Sequence, residues 1–359
     1  MPRLDSFLRL VVEQQASDLH LHAGYVPVIR HDGDLVDVPF RQLSRDETER
    51  FLGEIMTDAQ RDQLLAERQV DFLYELPGTG RFRASVFQQS RGLGSVFRVI
   101  PDRPFTLEQL MMPPAVRRLT RLSNGLVIVT GPTGSGKTTT LAAMVDEINR
   151  NQQRHVITIE DPIEFVHRPL RSVITQREVG RHVASFAAGL RSALRESPDV
   201  LVVGEMRDQE TVQLALQSAE TGVLVLGTLH TNSAAKAVDR IVDVVPEDVR
   251  DQTRGVLSVL LRAVIAQQLV KRASGEGRVA ALEILLQSHG ISNLIRENKV
   301  HQIEAYLQSA GVHPSGLQSL DGCLLSLVQE GVVELSEAVL LADRPDQLRR
   351  QVTELAEEA

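Results

Sequence analysis

A glycine-rich segment that directly follows an apolar run most constrains how this chain can fold. The run Leu126–Val129 leads into Gly131-Pro-Thr-Gly-Ser-Gly-Lys-Thr138, and a stretch with helical periodicity begins there. In a chain of this length the pattern Gly-x4-Gly-Lys-[Ser/Thr] arises by chance with a probability of about 1%. Between a strand and a helix, such a loop offers backbone N–H groups and a helix N-terminus to phosphate oxygens. We therefore expect a phosphate-binding loop, or P-loop.

The residue types of this loop fit a bound nucleoside triphosphate. Glycine lets the backbone turn its N–H groups inward around phosphate oxygens. The ammonium of Lys137 would reach the β and γ phosphates of ATP, and the hydroxyl of Thr138 would ligate Mg²⁺. The residues that we predict to bind ATP are Gly131, Pro132, Thr133, Gly134, Ser135, Gly136, Lys137, Thr138 and Thr139.

Three more short apolar runs follow the first, at Val156–Ile159, Val200–Val203 and Val223–Leu226. Longer stretches with helical periodicity separate them. Strands that alternate with helices indicate a parallel sheet with helices on both faces. Ligands of such sheets bind at the carboxyl ends of the strands, so the residues after each run are the candidates for chemistry.

Acidic residues and one histidine follow these runs. Glu160 and Glu164 come after the second run, and Glu205 comes after the third. Carboxylates at these points can hold magnesium or its waters, and one can deprotonate the attacking water. We favour Glu205 as this base and, with Thr138, as a magnesium ligand. His230 follows the fourth run, where it would contact the γ-phosphate. The alternative is that strand ends are acidic because they are solvated and that a lone histidine is structural.

Arginines are a further class of candidate, because phosphoryl transfer benefits from a guanidinium that faces the transition state, often from another subunit. The candidates are Arg81, Arg83 and Arg98 in the first hundred residues and Arg195, Arg207 and Arg240 in the α/β part. Spacing does not choose among them, because most surface arginines are simply solvated.

The first hundred residues predict a small α+β domain. Short apolar or alternating runs lie at Asp18–Leu21, Val26–Arg30, Gly80–Phe87 and Ser95–Val99. Ser44 to Arg68 reads as helix, because Ser44 and Glu47 have the spacing of a capping box. A hairpin is predicted around Gly275-Glu-Gly277. The domains that we predict are 1–100, a linker at 101–115, the core at 116–289, a C-terminal helical subdomain at 290–345 and an acidic tail at 346–359.

Composition limits the class of protein. The net charge of −8 argues against a broad nucleic-acid surface, which needs clustered Lys and Arg, so we expect no nucleic-acid partner. The most apolar stretch, Val256–Val270, is interrupted by Arg262 and is too short for a membrane helix. A single cysteine, Cys323, excludes an internal disulfide and a multi-cysteine zinc site. We interpret Met1–Val12 as an amphipathic helix of a cytoplasmic protein.

Taken together, these segments resemble the secretion-superfamily ATPases, and within them the type IV pilus retraction ATPases. The matching segments are Ala16-Ser-Asp-Leu-His20-Leu, Arg81-Phe-Arg83, the P-loop, Ile157-Thr-Ile-Glu-Asp-Pro-Ile-Glu-Phe-Val-His167, Gln176-Arg-Glu-Val, Ala193 to Asp208, Thr228-Leu-His230-Thr and Gly290-Ile-Ser-Asn-Leu-Ile-Arg-Glu297. The resemblance covers nearly the whole chain.

The resemblance implies an N-terminal PAS-like α+β domain, a RecA-like P-loop ATPase core with a parallel sheet, and a C-terminal helical segment. It implies a homohexamer with ATP between neighbouring subunits. Glu205 would be the catalytic carboxylate, and Glu160 and Glu164 would be acids near magnesium and water. Arg83 and Arg98 would reach the phosphates when the domains close.

The implied activity is ATP hydrolysis that drives pilus retraction and twitching motility. The implied partners are an inner-membrane pilus platform protein and a sibling retraction ATPase. The chain would then work in the cytoplasm at the inner face of the inner membrane, with peripheral membrane association through the platform only.

Three departures from the family pattern stand in this sequence. Val223 replaces a histidine of the family's Thr-Gly-His, Ser197 replaces an aspartate, and Ser292 replaces an arginine. None removes a predicted phosphate or magnesium ligand, so we expect activity to be retained. Two alternatives stay open, a nucleotide-binding accessory or regulatory ring subunit and a pilus or secretion assembly ATPase.

Overall fold

The computed structural model describes residues 3–31, 33–100 and 103–358. They form two compact units. The first ends at Arg103 and includes Glu164–Val166, and the second takes in Pro104–Ile163 and continues from His167. Residues 101 and 102 of the predicted linker, Ala359 of the predicted tail and the start of the predicted N-terminal helix lie outside the described residues. The domain boundaries proposed from the sequence stay predictions.

The first unit is an antiparallel sheet with three helices among its described residues. Its elements are α1 Leu4–Glu13, β1 Asp18–His22, β2 Val28–His31, β3 Asp34–Asp37, α2 Arg45–Gly53, α3 Asp58–Glu67, β4 Gln69–Leu76, β5 Gly80–Gln89 and β6 Gly92–Ile100. The strand order is β3-β2-β1-β6-β5-β4. The apolar face of the sheet packs with α1 and α2, and Phe82 and Phe97 are fully buried in that core.

The helix predicted over 44–68 is two helices. The capping box at its start is confirmed, because Ser44 accepts from the Glu47 N–H and Glu47 accepts from the Ser44 N–H. A second capping box, Thr57 with Gln60, starts α3, and Arg68 ends it in the left-handed conformation. The second cap competes with continuation of the first helix, which explains the break.

The second unit is built on a mostly parallel sheet. Its strands are β7 Gly125–Thr130, β8 His155–Glu160, β9 Val173–Glu178, β10 Val200–Val203, β11 Leu224–Leu229, β12 Leu261–Lys271 and β13 Arg278–Leu286. Among the described residues the order is β13-β12-β7-β11-β10-β8-β9, and β13 is antiparallel to β12. The predicted hairpin is confirmed. Sequence reasoning missed β9, a half-exposed edge strand.

Helices cover both faces of this sheet. They are α4 Pro114–Leu119, α5 Lys137–Asn151, α6 Phe186–Ala193, α7 Gln209–Glu220, α8 Ala234–Asp243, a 3₁₀ turn Glu247–Val249, α9 Arg250–Leu260, α10 His289–Arg296, α11 His301–Ala310, α12 Leu320–Gln329, α13 Leu335–Leu341 and α14 Pro345–Glu358. Alternate residues of β7 belong to different cores: Leu126 and Ile128 face α7 and α8, whereas Val127 and Val129 face α5 and α12. Burial on both faces is why the central strands are almost entirely apolar.

The predicted fold class is confirmed: an α+β unit, an α/β unit with a parallel-rich sheet, and helices at the C-terminal end. The apolar stretch Val256–Val270 divides between α9 and β12. Within the described ranges, no helix has the length and apolar character to cross a membrane. Cys323 is buried in α12, and Leu348 of the segment predicted as an acidic tail is also buried.

Candidate nucleotide-binding site

The P-loop lies where β7 leaves the sheet and α5 begins. Gly131, Gly134 and Gly136 all have positive φ, at 150°, 79° and 86°, a region that favours glycine. Gly136 is the N-cap of α5, so no side chain caps the helix and its first N–H groups face the loop. The sequence thus folds into an anion cradle that combines inward-turned amides with a helix N-terminus.

Lys137 is buried inside this loop. Its ammonium donates to the carbonyl oxygens of Gly131 and Pro132, both at 2.9 Å. Burial lowers the pKa of Lys137 below its ordinary value, and the negative charge of Glu205 acts against that shift. Phosphate oxygens would offer this cation stronger partners than two neutral carbonyls do, because hydrogen bonds between ionised groups are the stronger kind.

Two other loop residues test whether a phosphate fits. The side chain of Ser135 is buried, and its Oγ has no hydrogen-bond partner among the described residues. A buried unsatisfied hydroxyl is costly, so it marks a place where a ligand oxygen belongs. Thr138 is the second residue of α5 and is exposed to solvent. The loop therefore fits a phosphate, and Thr138 is accessible to a metal ion.

Glu205 follows β10 after one residue, Gly204, as predicted. Its side chain is only 16% exposed, it accepts a hydrogen bond from Arg207 Nε, and its Oε1 lies 3.1 Å from His230 Nε2. His230 follows β11, which neighbours β10 in the sheet. The strand ends thus bring Glu205 and His230 together, and the charge of Glu205 also reaches Lys137.

Threonines hold these strand ends in place. Thr130, the last residue of β7, donates its hydroxyl to the Thr231 carbonyl at 2.8 Å and accepts the Thr231 N–H at 2.9 Å. Thr228 donates to the carbonyl oxygen of Gly204, just before Glu205. The loop that carries His230 is therefore tied to both neighbouring strands. Sequence reasoning gave Thr130 and Thr228 no role, because each looks like an ordinary strand residue.

Glu160 ends β8 and is half-buried. Its Oε1 accepts from Thr158 Oγ1 at 2.6 Å and from Gln176 Nε2 at 3.0 Å. Gln176 lies on the edge strand β9. Because β9 has no continuous apolar run, the sequence did not reveal this partner of Glu160. The Gly204 N–H donates to Ile159 O at 2.8 Å, so the ends of β8 and β10 meet just before their two glutamates.

The remaining predicted residues belong to the first unit. Glu164 is packed with that unit and pairs with Arg83 at 3.4 Å. Arg98 donates from Nε to Asp18 at 2.9 Å. Arg83 and Arg98 stand directly opposite each other on β5 and β6. The structure therefore brings Lys137, Glu205 and His230 together in the second unit and places Glu164, Arg83 and Arg98 in the first.

The carboxyl ends of these strands suit phosphate chemistry with a loosely held magnesium ion. Over the described part of the chain, no three His, Cys, Asp or Glu side chains are grouped to hold a metal on their own. Magnesium at such sites is held by one or two protein ligands together with the phosphates. A hydroxyl at Thr138 and a carboxylate at Glu205 match that mode.

Comparison with known proteins gives the family. The profile of the type II/IV secretion system protein family matches residues 1–306. The chain belongs to this family. It is 48% identical to the type IV pilus retraction ATPase PilT of Pseudomonas aeruginosa over 343 residues, 96% of this chain and 99% of that protein.

Two further relatives agree with this assignment. The twitching motility protein of Neisseria gonorrhoeae is 48% identical over 328 residues, which are 91% of this chain and 87% of that protein. A crystal structure of the pilus retraction motor PilT with bound ADP aligns with a TM-score of 0.86 at 42% identity, and covers 98% of this chain and 99% of that one. As a member of the type II/IV secretion system proteins, the chain is similar to relatives that are ATPases.

The three departures from the pattern of these secretion ATPases occupy different environments. Val223 is buried against the core that contains α7 and α8. Ser197 adopts φ of 52°, the left-handed region, just before β10. Ser292 is buried in α10 and makes its backbone hydrogen bond to Ser288. Among the described residues, the hydrogen bonds and ion pairs of Lys137, Glu205 and His230 involve none of these three residues.

Proposed function

We propose that this chain is an ATP-hydrolysing motor that powers type IV pilus retraction and so twitching motility. The observation that carries the proposal is the meeting of a P-loop lysine with Glu205 and His230 at the ends of β7, β10 and β11. The 48% identity to the Pseudomonas retraction ATPase over 96% of the chain supports the direction of movement. The ADP bound in the aligned PilT structure supports a nucleotide at the P-loop.

Binding begins with the residues of the loop. Lys137 exchanges the Gly131 and Pro132 carbonyls for the β and γ phosphates, and the positive-φ glycines present their N–H groups. The hydroxyl of Ser135 gains the partner that it otherwise lacks. Because the lysine and the loop amides are already in place, little reorganisation is needed when charge develops on the phosphates.

Hydrolysis itself falls to the strand-end side chains. Glu205 accepts a proton from the water that attacks the γ-phosphate. His230 lies beside Glu205, where it would contact the γ-phosphate. Arg207 donates a hydrogen bond to the Glu205 carboxylate. The carboxylate could act as a base when this hydrogen bond is broken. Thr138 and Glu205 would hold Mg²⁺, which neutralises phosphate charge when it is bound.

The wider machine is part of the proposal. Six copies would form a ring with ATP between neighbouring subunits, and Glu160, Glu164, Arg83 and Arg98 would join the nucleotide as the domains close. The ring would act on an inner-membrane platform protein, from the cytoplasmic side, with a sibling ATPase as a further partner. Domain closure on ATP would be the step that performs mechanical work.

A deletion strain complemented with Glu205→Gln tests the proposal. Removal of the base should slow phosphate release by the purified protein by about 100-fold or more while ATP binding persists. Cells with this variant should carry surplus pili that do not retract, as the deletion should. Pilus counts and twitching zones, with phosphate release from the purified proteins, measure both.

The complementary outcomes discriminate between functions. Loss of all pili on deletion would indicate an assembly motor. Negligible phosphate release by the wild-type protein, with normal retraction in the Glu205→Gln strain, would indicate an accessory subunit. Glu210→Gln is the matched control, because Glu210 lies on the exposed start of α7 and should leave both turnover and retraction unchanged.

A further inference from the structure

Gln267 lies at the point where the P-loop leaves the sheet. It is on β12, whose parallel pairing with β7 ends at Ala266 opposite Thr130. Thr130 is the last residue of β7, and the residue after it is Gly131, the first glycine of the loop. Gln267 is 3% exposed, although the β12 run around it is mostly apolar. A buried amide in an apolar strand needs partners, and both of its partners lie in the P-loop region.

The side chain of Gln267 crosses from β12 into the loop. Its Nε2 donates to the carbonyl oxygen of Ser135 at 2.6 Å, and its Oε1 accepts from Thr140 Oγ1 at 2.7 Å. A carbonyl oxygen only accepts hydrogen bonds, so the NH₂ group must face Ser135 and the amide has one orientation. Neither a carboxylate nor an apolar side chain of this size could satisfy both partners.

The same residue also limits the loop sterically. A Cβ on Gly131 would overlap the backbone carbonyl oxygen of Gln267, and a Cβ on Gly136 would lie 2.9 Å from its Nε2. Gln267 therefore touches the loop at its start, at its end and, through Thr140, on the first turn of α5. A side chain at Gly131 is therefore excluded by the backbone of β12, and one at Gly136 is excluded by the Gln267 amide.

The hydrogen bond to Ser135 has a consequence for the opposite edge of the peptide. In a planar trans peptide the C=O and the following N–H point in opposite directions. When the Ser135 carbonyl is fixed toward Gln267, the Gly136 N–H is fixed away from it. That amide stands directly before Lys137, in the part of the loop that surrounds phosphate.

We propose that Gln267 is a positioning residue that holds the P-loop in its phosphate-binding conformation. The inference rests on the proposed function as an ATPase. Gln267 itself does not touch the nucleotide; it fixes the Ser135–Gly136 peptide and the first turn of α5. Its loss should therefore weaken nucleotide binding more than it slows turnover at saturating ATP.

The experiment compares Gln267→Met with Gln268→Met in the full-length protein. Methionine keeps the length of the side chain and removes both hydrogen bonds. Gln268 is the matched control, because it is the adjacent, half-buried glutamine on the other face of β12. The Kd for a fluorescent N-methylanthraniloyl derivative of ADP should rise about tenfold or more in Gln267→Met, since two hydrogen bonds are lost. The Kd in Gln268→Met should stay within about twofold, because Gln268 makes none of the hydrogen bonds to the loop that Gln267 makes.

A second variant and a kinetic measurement separate positioning from a structural role. Thr140→Val should raise the Kd by a smaller factor, and adding it to Gln267→Met should have less effect than it has alone, because the two residues share one interaction. The KM for ATP should rise by more than kcat falls. A fully structural role would lower thermal stability and leave the Kd of the folded protein unchanged.

Each result decides the inference. An unchanged Kd in Gln267→Met overturns it, and if that variant does not fold, an unchanged Kd in Thr140→Val overturns it instead. A wild-type protein that does not bind the ADP derivative overturns the proposed function. Tight binding by the wild type with a Kd unaffected by Gln267→Met leaves the proposed function standing and removes only the role of Gln267.

Discussion

The two sheets of this protein place their candidate nucleotide-site residues in opposite ways. Beside the parallel sheet, Lys137 at the start of α5 and Glu205 after β10 have side chains that are mostly buried. In the antiparallel sheet, Arg83 and Arg98 lie within strands, with side chains 41% and 63% exposed. The first arrangement depends on backbone conformation and close packing. The second depends on long side chains that can change partners.

The opposed arginines show how such partners are arranged. Like charges directly across a pair of antiparallel strands repel. Arg83 pairs with Glu164, and Arg98 pairs with Asp18, which also lies 4.0 Å from Arg30 Nε. Partly exposed pairs such as Arg83–Glu164 contribute little to stability, so Arg83 can leave its acid for a phosphate at a small cost in free energy. Asp18 is only 4% exposed, so it costs more to separate Arg98 from its acid. The difference teaches that one sheet holds its candidate site residues in fixed positions, whereas the other leaves them able to change partners.

The largest effect on stability is expected from Gly131→Ala. The new Cβ would overlap the Gln267 carbonyl, a backbone atom that cannot move aside, and φ of 150° is unfavourable for alanine. We expect the free energy of unfolding to fall by about 3 kcal/mol or more, with loss of nucleotide binding. Denaturant unfolding monitored by circular dichroism measures the change.

Gly134→Ala is the matched control for that prediction. Gly134 has φ of 79°, but a Cβ there would meet nothing within 4 Å. The cost should be only the left-handed conformation of alanine, about 1 kcal/mol. Equal losses in the two variants would mean that contact with β12 does not constrain the loop, and the contrast between the sheets would weaken.

The next effect concerns the pH dependence of stability, which Glu283 in the parallel sheet should produce and Glu283→Gln should remove. Glu283 is buried on β13 and accepts the Ala234 N–H at 2.7 Å. Burial, strengthened by the nearby Asp343, Glu304 and Asp321, raises its pKa to about 7. The folded chain therefore binds a proton that the unfolded chain releases between pH 4.5 and 7. Stability should fall by roughly 3 kcal/mol as pH rises through this window.

The Glu283→Gln variant should lose this pH dependence, because its amide does not titrate. Unfolding measured at pH 5 and pH 8 gives the slope for each protein. Glu276→Gln, in the exposed turn between β12 and β13, should keep the wild-type slope. A slope that persists in Glu283→Gln would show that buried charge in the parallel sheet does not set the pH response.

The smallest effect on stability is expected from Arg83→Gln. Its acid, Glu164, is 30% exposed, so water replaces the lost partner and the free energy of unfolding should change by less than about 1 kcal/mol. Arg98→Gln should cost more, because Asp18 is only 4% exposed. Thermal melts test both, and steady-state turnover of the folded variants tests the proposed role at the phosphates. A loss of several kcal/mol in Arg83→Gln would break the comparison.

The sequence predicts local features better than distant partners. The P-loop, the capping box at Ser44 and the strand ends before Glu205 and His230 follow from contiguous residues, because backbone conformation and burial leave their mark there. The edge strand β9 was missed because only Val173 and Ile174 in it are apolar. A half-exposed strand needs no continuous apolar run.

Contacts between distant segments explain the other misses. Gln267 binds Ser135 across 132 residues of sequence, and nothing around it marks a polar partner in advance. Thr57 broke the predicted helix because its cap is as good as the one at Ser44. The acids that pair with Arg83 and Arg98 were also unforeseen, because a surface arginine can pair with any acid within reach of its long side chain.

The pairing of β7 with β11 fixes where His230 lies relative to the P-loop. These strands match residue for residue from Gly125 opposite Leu224 to Thr130 opposite Leu229, and Thr130 then binds Thr231. Slippage by one residue would move His230 by about 3.3 Å relative to the P-loop and turn its side chain to the other face. The register thus sets one fixed separation between the loop and His230. Under the proposed function, this fixed register is what would let His230 meet the γ-phosphate of ATP, a group that ADP lacks.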